Sequence, residues 1–570
     1  MSDKTATPND GVTAWTVVAD PPPLSSRFLS GSWSSLVHVV TGWPWLILYV
    51  ALFVRLWGIT WQLPALMYRD ELKYEGWAGA VADNRGPDST DFRNPSLFRH
   101  MLLLEYRLVK AVEPGASVRD EAVRRTTLAR LTSAVLGAGA AVLTGLAAAR
   151  LFGPFEGAIA GLVLAIGPLP VHLSHIGVND APALFFLTAG LYFGARAFVQ
   201  RRSEILLLAG ITAGLATAAK YNFGVVGVMP LLAAAVYATQ RRMRLSGALI
   251  LVSLTLLAGL AGLLVAMPEI ATSTAAVRDG FLEQTAKGRE ASVGQQDTPV
   301  LMLYVEASAR GLGLPAIVFA LLGTVRLVMT DRLRALALLP CPVIYLIVML
   351  SSERFAARFA LPLMPFAAIL TAVGIQTVRS LWRSWWIREA ATALCIAAIV
   401  LPSIVAVIQH DVLATTRDTR LLARDWLKDH ADGVNVAVQT YGLPTEYWGR
   451  DSGGDYRLRW FQSLESPAMA NRLACEGNRY VVLSNFWSER DVKSAAIGGG
   501  PTGYDWLRQH GSLSETISPF RDGLVAPAHV DDTAIPFWFM SAYARPGPRI
   551  EIWQLPDDAR SLCVDRPRSS

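Results

Sequence analysis

"WPWLILYVALFVRLWGITWQLPALMYRDELKY", residues 43–74, decides how the chain is read. It opens as an apolar and aromatic run and closes on Arg69, Asp70, Glu71 and Lys73. A run of that length can cross a hydrocarbon core about 30 Å thick. The charged end therefore marks where the chain leaves a bilayer. The whole sequence agrees: of 570 residues 52% are hydrophobic and 17% charged, with a mean hydropathy of +0.34, against about 25% charged residues in soluble domains. Working outward, the hydropathy pattern predicts eleven spans, at 38–60, 128–150, 155–172, 181–199, 204–219, 222–240, 245–267, 311–330, 334–350, 359–378 and 389–409. The fold class expected is an α-helical polytopic membrane protein.

Orientation follows from the short loops, because Lys and Arg accumulate on the cytoplasmic side. Arg150, Arg201 and Arg202, Arg241, Arg242 and Arg244, Arg332 and Arg334, and Arg379, Arg383 and Arg388 all follow even-numbered spans. This places the N-terminus inside and everything after about residue 410 outside. Residues 1–37, polar and Pro-rich ("ADPPPLSSRF"), read as a disordered cytoplasmic tail with no cleavable signal. The net charge of +6 is the basic bias of inner loops, and no nucleic-acid patch is visible. The setting expected is a multi-pass protein of a bacterial plasma membrane.

On that topology the unusual polar clusters converge on the outer side: "YRDELKY", "HLSHIGVND", "KYN" and "SSERFAARF". Charges at the membrane edge are costly and usually face a protein-lined cavity, so one outward-facing site is expected. Two outer excursions flank it. Residues 61–127 hold "DELKYEGWAGAVADN", which has helical spacing, and "NPSLFRHMLLLEYRLVKAV". In the latter Asn94 stands at an N-cap position, Pro95 at the first helical position, and Leu97, Met101, Leu104 and Leu108 form the apolar side of an interfacial helix with its charged side outward. Residues 268–310, polar and glycine-punctuated, read as a lid over the site. Residues 410–570 read as a small α/β domain, with a helix in "RDTRLLARDWLKDH" and strands in "VNVAVQ", "RYVVLS" and "RIEIWQL". Cys341 and Cys395 fall in apolar runs, whereas Cys475 and Cys563 are expected to pair if this domain faces an oxidising compartment.

The chemistry starts from Asp70. A carboxylate at the bilayer boundary can act as a general base on a substrate hydroxyl; the plain reading is that Asp70 and Glu71 favour the positive end of a helix. Lys220, Arg354, Arg358 and Arg130 sit at span ends on the same side. Each alone could snorkel to headgroups; as a group they suit a lipid-borne phosphate. His172, His175 and Asp180 share one span junction. They are read as hydrogen-bonding a donor phosphate or positioning the loop, rather than holding a divalent metal, since no third ligand is evident. No phosphate-binding P-loop or dinucleotide fingerprint occurs.

Together these residues resemble the polytopic GT-C glycosyltransferases, closest to the protein O-mannosyltransferase-like branch (glycosyltransferase family 39), which includes the bacterial enzyme that adds aminoarabinose to lipid A. The resemblance runs in order through Asp70-Glu71, "NPSL", "ARLTSAVLGAGAAVLTGLAAARLFG", "SHIGVNDAPALFF", "AAKYNFG" and "RFAARFALPLMPFAAIL", and covers about residues 38–410. It implies a GT-C catalytic domain over 38–409 and inverting transfer from a polyprenyl-phosphate sugar to a hydroxyl on a lipid, polysaccharide or protein. It implies Asp70 as base, Glu71, Tyr74 and Asn94 positioning the acceptor or loop, and Lys220, Arg354, Arg358 and Arg130 on the departing phosphate. His172, His175, Asp180 and Tyr221 would support them, with no metal required. At "HLSH" some members carry an arginine before the Asp, and the C-terminal part lacks the β-trefoil character of eukaryotic O-mannosyltransferases, which counts against a protein acceptor. Two other classes compete, a secondary transporter and a non-catalytic scaffold. A transporter would show inverted repeats and broken helices, and no such pairing is visible in the sequence.

Overall fold

The computed structural model describes residues 42–83, 91–112, 118–200, 202–289, 298–444, 456–489, 491 and 501–556. The expected N-terminal tail and Cys563 lie outside the described residues.

Helices dominate. Among the described residues six are long and apolar enough to cross a membrane: 121–151, 180–200, 221–240, 245–266, 357–380 and the one beginning at Trp385, with up to nine if each of three bent pairs is one span. Two shorter apolar helices, Trp43–Leu56 and Ser203–Ala219, stand at the remaining expected spans. The molecule is a multi-pass helical membrane protein.

Small residues set the packing. Along the helix Val118–Leu151, a Cβ on Gly145 would lie 2.8 Å from the carbonyl of Gly157. Gly323 and Gly374 bring two further helices together, since a Cβ on either would fall 2.0 Å from a backbone oxygen of the other helix. Without a hydrophobic drive between helices in lipid, such close backbone approach supplies much of the association.

The bent pairs correct one expectation, since broken helices are present. Pro154–Ala165 meets Pro168–Ser174 at 55°, Val300–Leu312 meets Leu314–Thr330 at 110°, and Arg332–Leu338 meets Pro340–Leu350 at 43°. Each break carries a proline at the start of its second helix, where the missing N–H ends the first helix's ladder. At the sharpest, Gly313 has φ +89°, a conformation that glycine adopts without strain. Two further interruptions carry charge. Lys220 is extended between Ser203–Ala219 and the 3-10 turn Tyr221–Gly227. Residues 351–356 separate Pro340–Leu350 from the 3-10 turn Ala357–Leu363.

The excursions fold locally. Arg69–Ala82 is helical as expected. The next helix is Leu97–Val112, so Asn94 precedes it by three positions and is not its N-cap. Phe98, Leu102 and Tyr106 are buried against the protein, while Leu104 and Leu108, of the expected apolar side, face away from it. The stretch expected as a lid is helical over Thr274–Lys287. It is tied down at its end, where the Gly288 carbonyl accepts from the backbone of Glu353 and Arg354 and from the Ser352 hydroxyl.

Beyond the 31-residue helix Trp385–Thr415 lies a five-stranded sheet ordered β2-β1-β3-β5-β4, with β1 Asn435–Gln439, β2 Arg457–Phe461, β3 Asn478–Ser484, β4 Ser512–Ile517 and β5 Ile550–Gln554. β1 runs parallel to β2 and β3, whereas β5 is antiparallel to β3 and β4. Alternate residues of β3 face opposite sides: Val481 and Leu483 pack with Leu473 and Leu507, and Tyr480 and Val482 with Leu427 and Ile552. β2 and β4 were not expected. Their "RLRWF" and "SLSETI" are too polar to stand out. Cys475, at the end of the helix Pro467–Cys475, is disulfide-bonded.

Candidate active site

Asp70 and Glu71 occupy the first turn of Arg69–Ala82, where the helix's positive end favours carboxylates. Adjacent residues point about 100° apart around a helix, and here the two acids part company. Glu71 turns inward. Its carboxylate takes a two-pronged bond from Arg130, Nε to Oε1 at 2.8 Å and Nη2 to Oε2 at 2.9 Å, and a third from the Gly177 amide at 2.7 Å. Arg130 also donates to the carbonyls of Ile59 and Trp61 and lies 4.1 Å above the Trp61 ring. Fully buried and fully engaged, Arg130 is a brace between the first loop and the helix Val118–Leu151, not the phosphate ligand expected.

Asp70 turns the other way, into an open-sided cavity of about 170 Å³. The cavity gathers Asp70, Tyr74, Asn94, Asp180, Lys220, Arg354 and Arg358, seven residues expected at the site from five separate stretches of chain. Lys73 and Arg358 approach the Asp70 carboxylate at 2.8 and 3.4 Å. Burial alone would push that carboxyl up, but Arg358 and Lys73 together pull it down to about 2. Asp180 holds Lys220 at 2.5 Å, and the Asn179 amide donates to the Ala219 carbonyl at 2.8 Å, fixing the extended residue that carries the lysine. Tyr345 donates to the Phe359 carbonyl at 2.7 Å and accepts from Asn222 at 3.0 Å, joining the two helix interruptions. Tyr221 sits beside the cavity, donating to the Phe92 carbonyl at 3.0 Å.

The sequence reading missed Lys73, Arg93, Arg99 and Lys287, which also line the cavity. In all, seven cationic side chains face three acidic ones there, an environment suited to a multiply charged anion.

His172 and His175 are not in it. They pack with His410 of the last long helix: His172 Nδ1 is 3.0 Å from His410 Nε2, and His410 Nδ1 is 3.0 Å from Asp411. Of the two roles expected for them, contact with a donor phosphate or positioning of the loop, the first is not made from this place, and Asp180 faces Lys220. His175, His410 and Asp411 each offer one ligand atom within 4.8 Å of the others, a spacing that could hold a metal ion. Both ring nitrogens of His175 already face carbonyls, those of Val171 at 3.0 Å and Trp57 at 2.8 Å. A metal there would have to displace one of them.

The C-terminal part reaches the site from two sides. Arg420 donates to the Met67 carbonyl at 3.1 Å, three residues before Asp70. Asp531 accepts from the Ala357 amide at 2.7 Å, immediately before Arg358.

A family described as dolichyl-phosphate-mannose-protein mannosyltransferase matches residues 45–269. No curated protein matches the chain. The oligosaccharyltransferase of Archaeoglobus fulgidus in its apo form aligns with a TM-score of 0.53 at 12% identity, over 90% of this chain and 89% of that one. ArnT from Cupriavidus metallidurans bound to undecaprenyl phosphate aligns with a TM-score of 0.47 at 14% identity, over 92% and 100%. The chain shares the overall fold of the archaeal oligosaccharyltransferase.

Proposed function

We propose that this protein is a glycosyltransferase that moves a sugar from a polyprenyl-phosphate donor to a hydroxyl acceptor at the outer face of a membrane, with inversion at the anomeric carbon. The observation that carries the reading is the single cavity in which Asp70 stands among Lys220, Arg354 and Arg358. The positive-inside pattern of the short loops supports the outer placement.

In the proposed step the acceptor oxygen forms a bond to the anomeric carbon as the bond from that carbon to the phosphate oxygen breaks. The acceptor proton passes to Asp70, and polyprenyl phosphate leaves with the bonding electrons. Lys220, Arg354 and Arg358 neutralise the charge that grows on the leaving phosphate, the kind of fixed electrostatic stabilisation that dominates many enzymes. Arg358 links both halves. While it pairs with Asp70 the carboxylate is a poor base, and a phosphate that draws Arg358 away restores basicity at the moment a proton acceptor is needed.

Asp70→Asn in membranes supplied with a labelled polyprenyl-phosphate sugar tests the reading. Transfer should fall by at least about a hundredfold while donor binding and folding persist. Wild-type transfer by this variant would end the proposal.

A further inference from the structure

Arg99 stands apart from the other cavity cations. It occupies the first turn of Leu97–Val112, with its guanidinium 5.9 Å from the Tyr74 ring centroid and 5.7 Å from that of Trp77. Only 4% exposed, it lines the cavity, yet its Nε and Nη1 are buried with no hydrogen-bond partner. The nearby acids are already engaged. Asp91 accepts from Arg93 at 2.7 Å, and Glu269 accepts from Ser96 at 2.7 Å and pairs with His100 at 2.9 Å. Lys220 and Arg358 pair with Asp180 and Asp70, and Lys287 with Glu283.

Stacking on two rings orients a guanidinium and stabilises its charge, but it satisfies none of the in-plane N–H groups. Leaving such donors buried and unbonded is costly. A planar fork held rigid with free donors matches the paired oxygens of a phosphate or carboxylate. The N-terminal end of its own helix adds positive potential in the same place.

We propose that Arg99 forms a second oxyanion subsite of this cavity, distinct from the Lys220, Arg354 and Arg358 group, which grips a phosphate or carboxylate carried by a substrate. The inference rests on the glycosyltransferase reading only for what a substrate is; the binding itself does not depend on transfer. The oxyanion has two sources. It is an acceptor-borne acidic group if the donor phosphate is held by Lys220, Arg354 and Arg358 alone, or the donor phosphate itself if that group bridges both subsites.

Full-length protein in lipid nanodiscs is titrated with polyprenyl phosphate and, separately, with inorganic pyrophosphate, comparing wild type, Arg99→Gln, Arg99→Lys and Lys220→Met. Pyrophosphate should stabilise the wild type against thermal unfolding and do so much less in Arg99→Gln, while that variant without anion unfolds no earlier than the wild type, because the orphaned donors are gone. Arg99→Lys, which keeps the charge but not the fork, should bind pyrophosphate about tenfold more weakly. If Arg99→Gln leaves polyprenyl-phosphate affinity intact, the acceptor is the source; if that affinity also falls about tenfold, the donor is. Pyrophosphate stabilisation unchanged in both Arg99 variants overturns the proposal, as does destabilisation of Arg99→Gln without anion, which would make the residue a packing element. The glycosyltransferase reading fails separately, through Asp70→Asn.

Discussion

Arg130 offers the sharpest test of how the site is built. Its guanidinium and the Glu71 carboxylate are 0% and 2% exposed, and they join the loop after the first span, the helix Arg69–Ala82, the helix Val118–Leu151 and the turn at Gly177. Arg130→Met would leave Glu71 charged, buried and supported by the Gly177 amide alone. Removing one partner of a buried ion pair costs about 3–5 kcal/mol, mostly through the charge left behind. The double variant Arg130→Met with Glu71→Leu removes both charges and should recover most of that loss, giving a large coupling term in a double-mutant cycle. Thermal unfolding of detergent-solubilised protein reads the cost, and polyprenyl-phosphate binding well below the unfolding temperature reads the site. The expected result is a strongly destabilised Arg130→Met that, while folded, binds polyprenyl phosphate as the wild type does. An unchanged unfolding temperature with phosphate binding lost would refute the reasoning and return Arg130 to the cavity.

Two further outcomes follow from the geometry. Asp70, held at about 2 by Arg358 and Lys73 against burial, is ionised from about pH 4 upward, so it should set no acid limit on transfer in that range. Lys73→Met removes one of the two lowering charges, and the acid limb of kcat/KM should move up by about half to one pH unit, since Lys73 is half exposed and screened; an unmoved limb would separate Lys73 from the base. In the packing of Ser203–Ala219 on Leu245–Ala266, a Cβ on Gly214 would fall 2.0 Å from the Gly259 carbonyl, whereas one on Gly259 meets nothing nearer than 3.4 Å. Gly214→Ala should therefore cost about 1–3 kcal/mol by overpacking and Gly259→Ala little, which thermal unfolding of the two variants decides.

Spans and charged interruptions were legible because their signal is local. A run of apolar residues ending in Asp70, or a lysine after many small residues, is conspicuous wherever the chain goes. Partnership is not local. Glu71 lies 59 positions from Arg130, and His410 lies 238 from His172, so a buried charge that is already satisfied looks in sequence like one waiting for a ligand. For that reason the sequence points Arg130 to the phosphate and leaves His172 and His175 between phosphate and loop. Arg99 shows the converse. In "NPSLFRHMLLLEYRLVKAV" the expected apolar side, Leu97, Met101, Leu104 and Leu108, is that of an interfacial helix and gives Arg99 no role; Phe98 and Leu102 are buried against the protein and Arg99 is buried with them. An interfacial helix has two apolar surroundings, lipid on one side and protein on the other, and hydrophobicity alone does not distinguish them. What distinguishes them is the polar residue that the protein side must accommodate. If Arg99 is bonded by a substrate oxyanion, the same contact that makes its burial tolerable also fixes which face of this helix closes the cavity, and the helix orientation and the anion subsite stand or fall on one measurement.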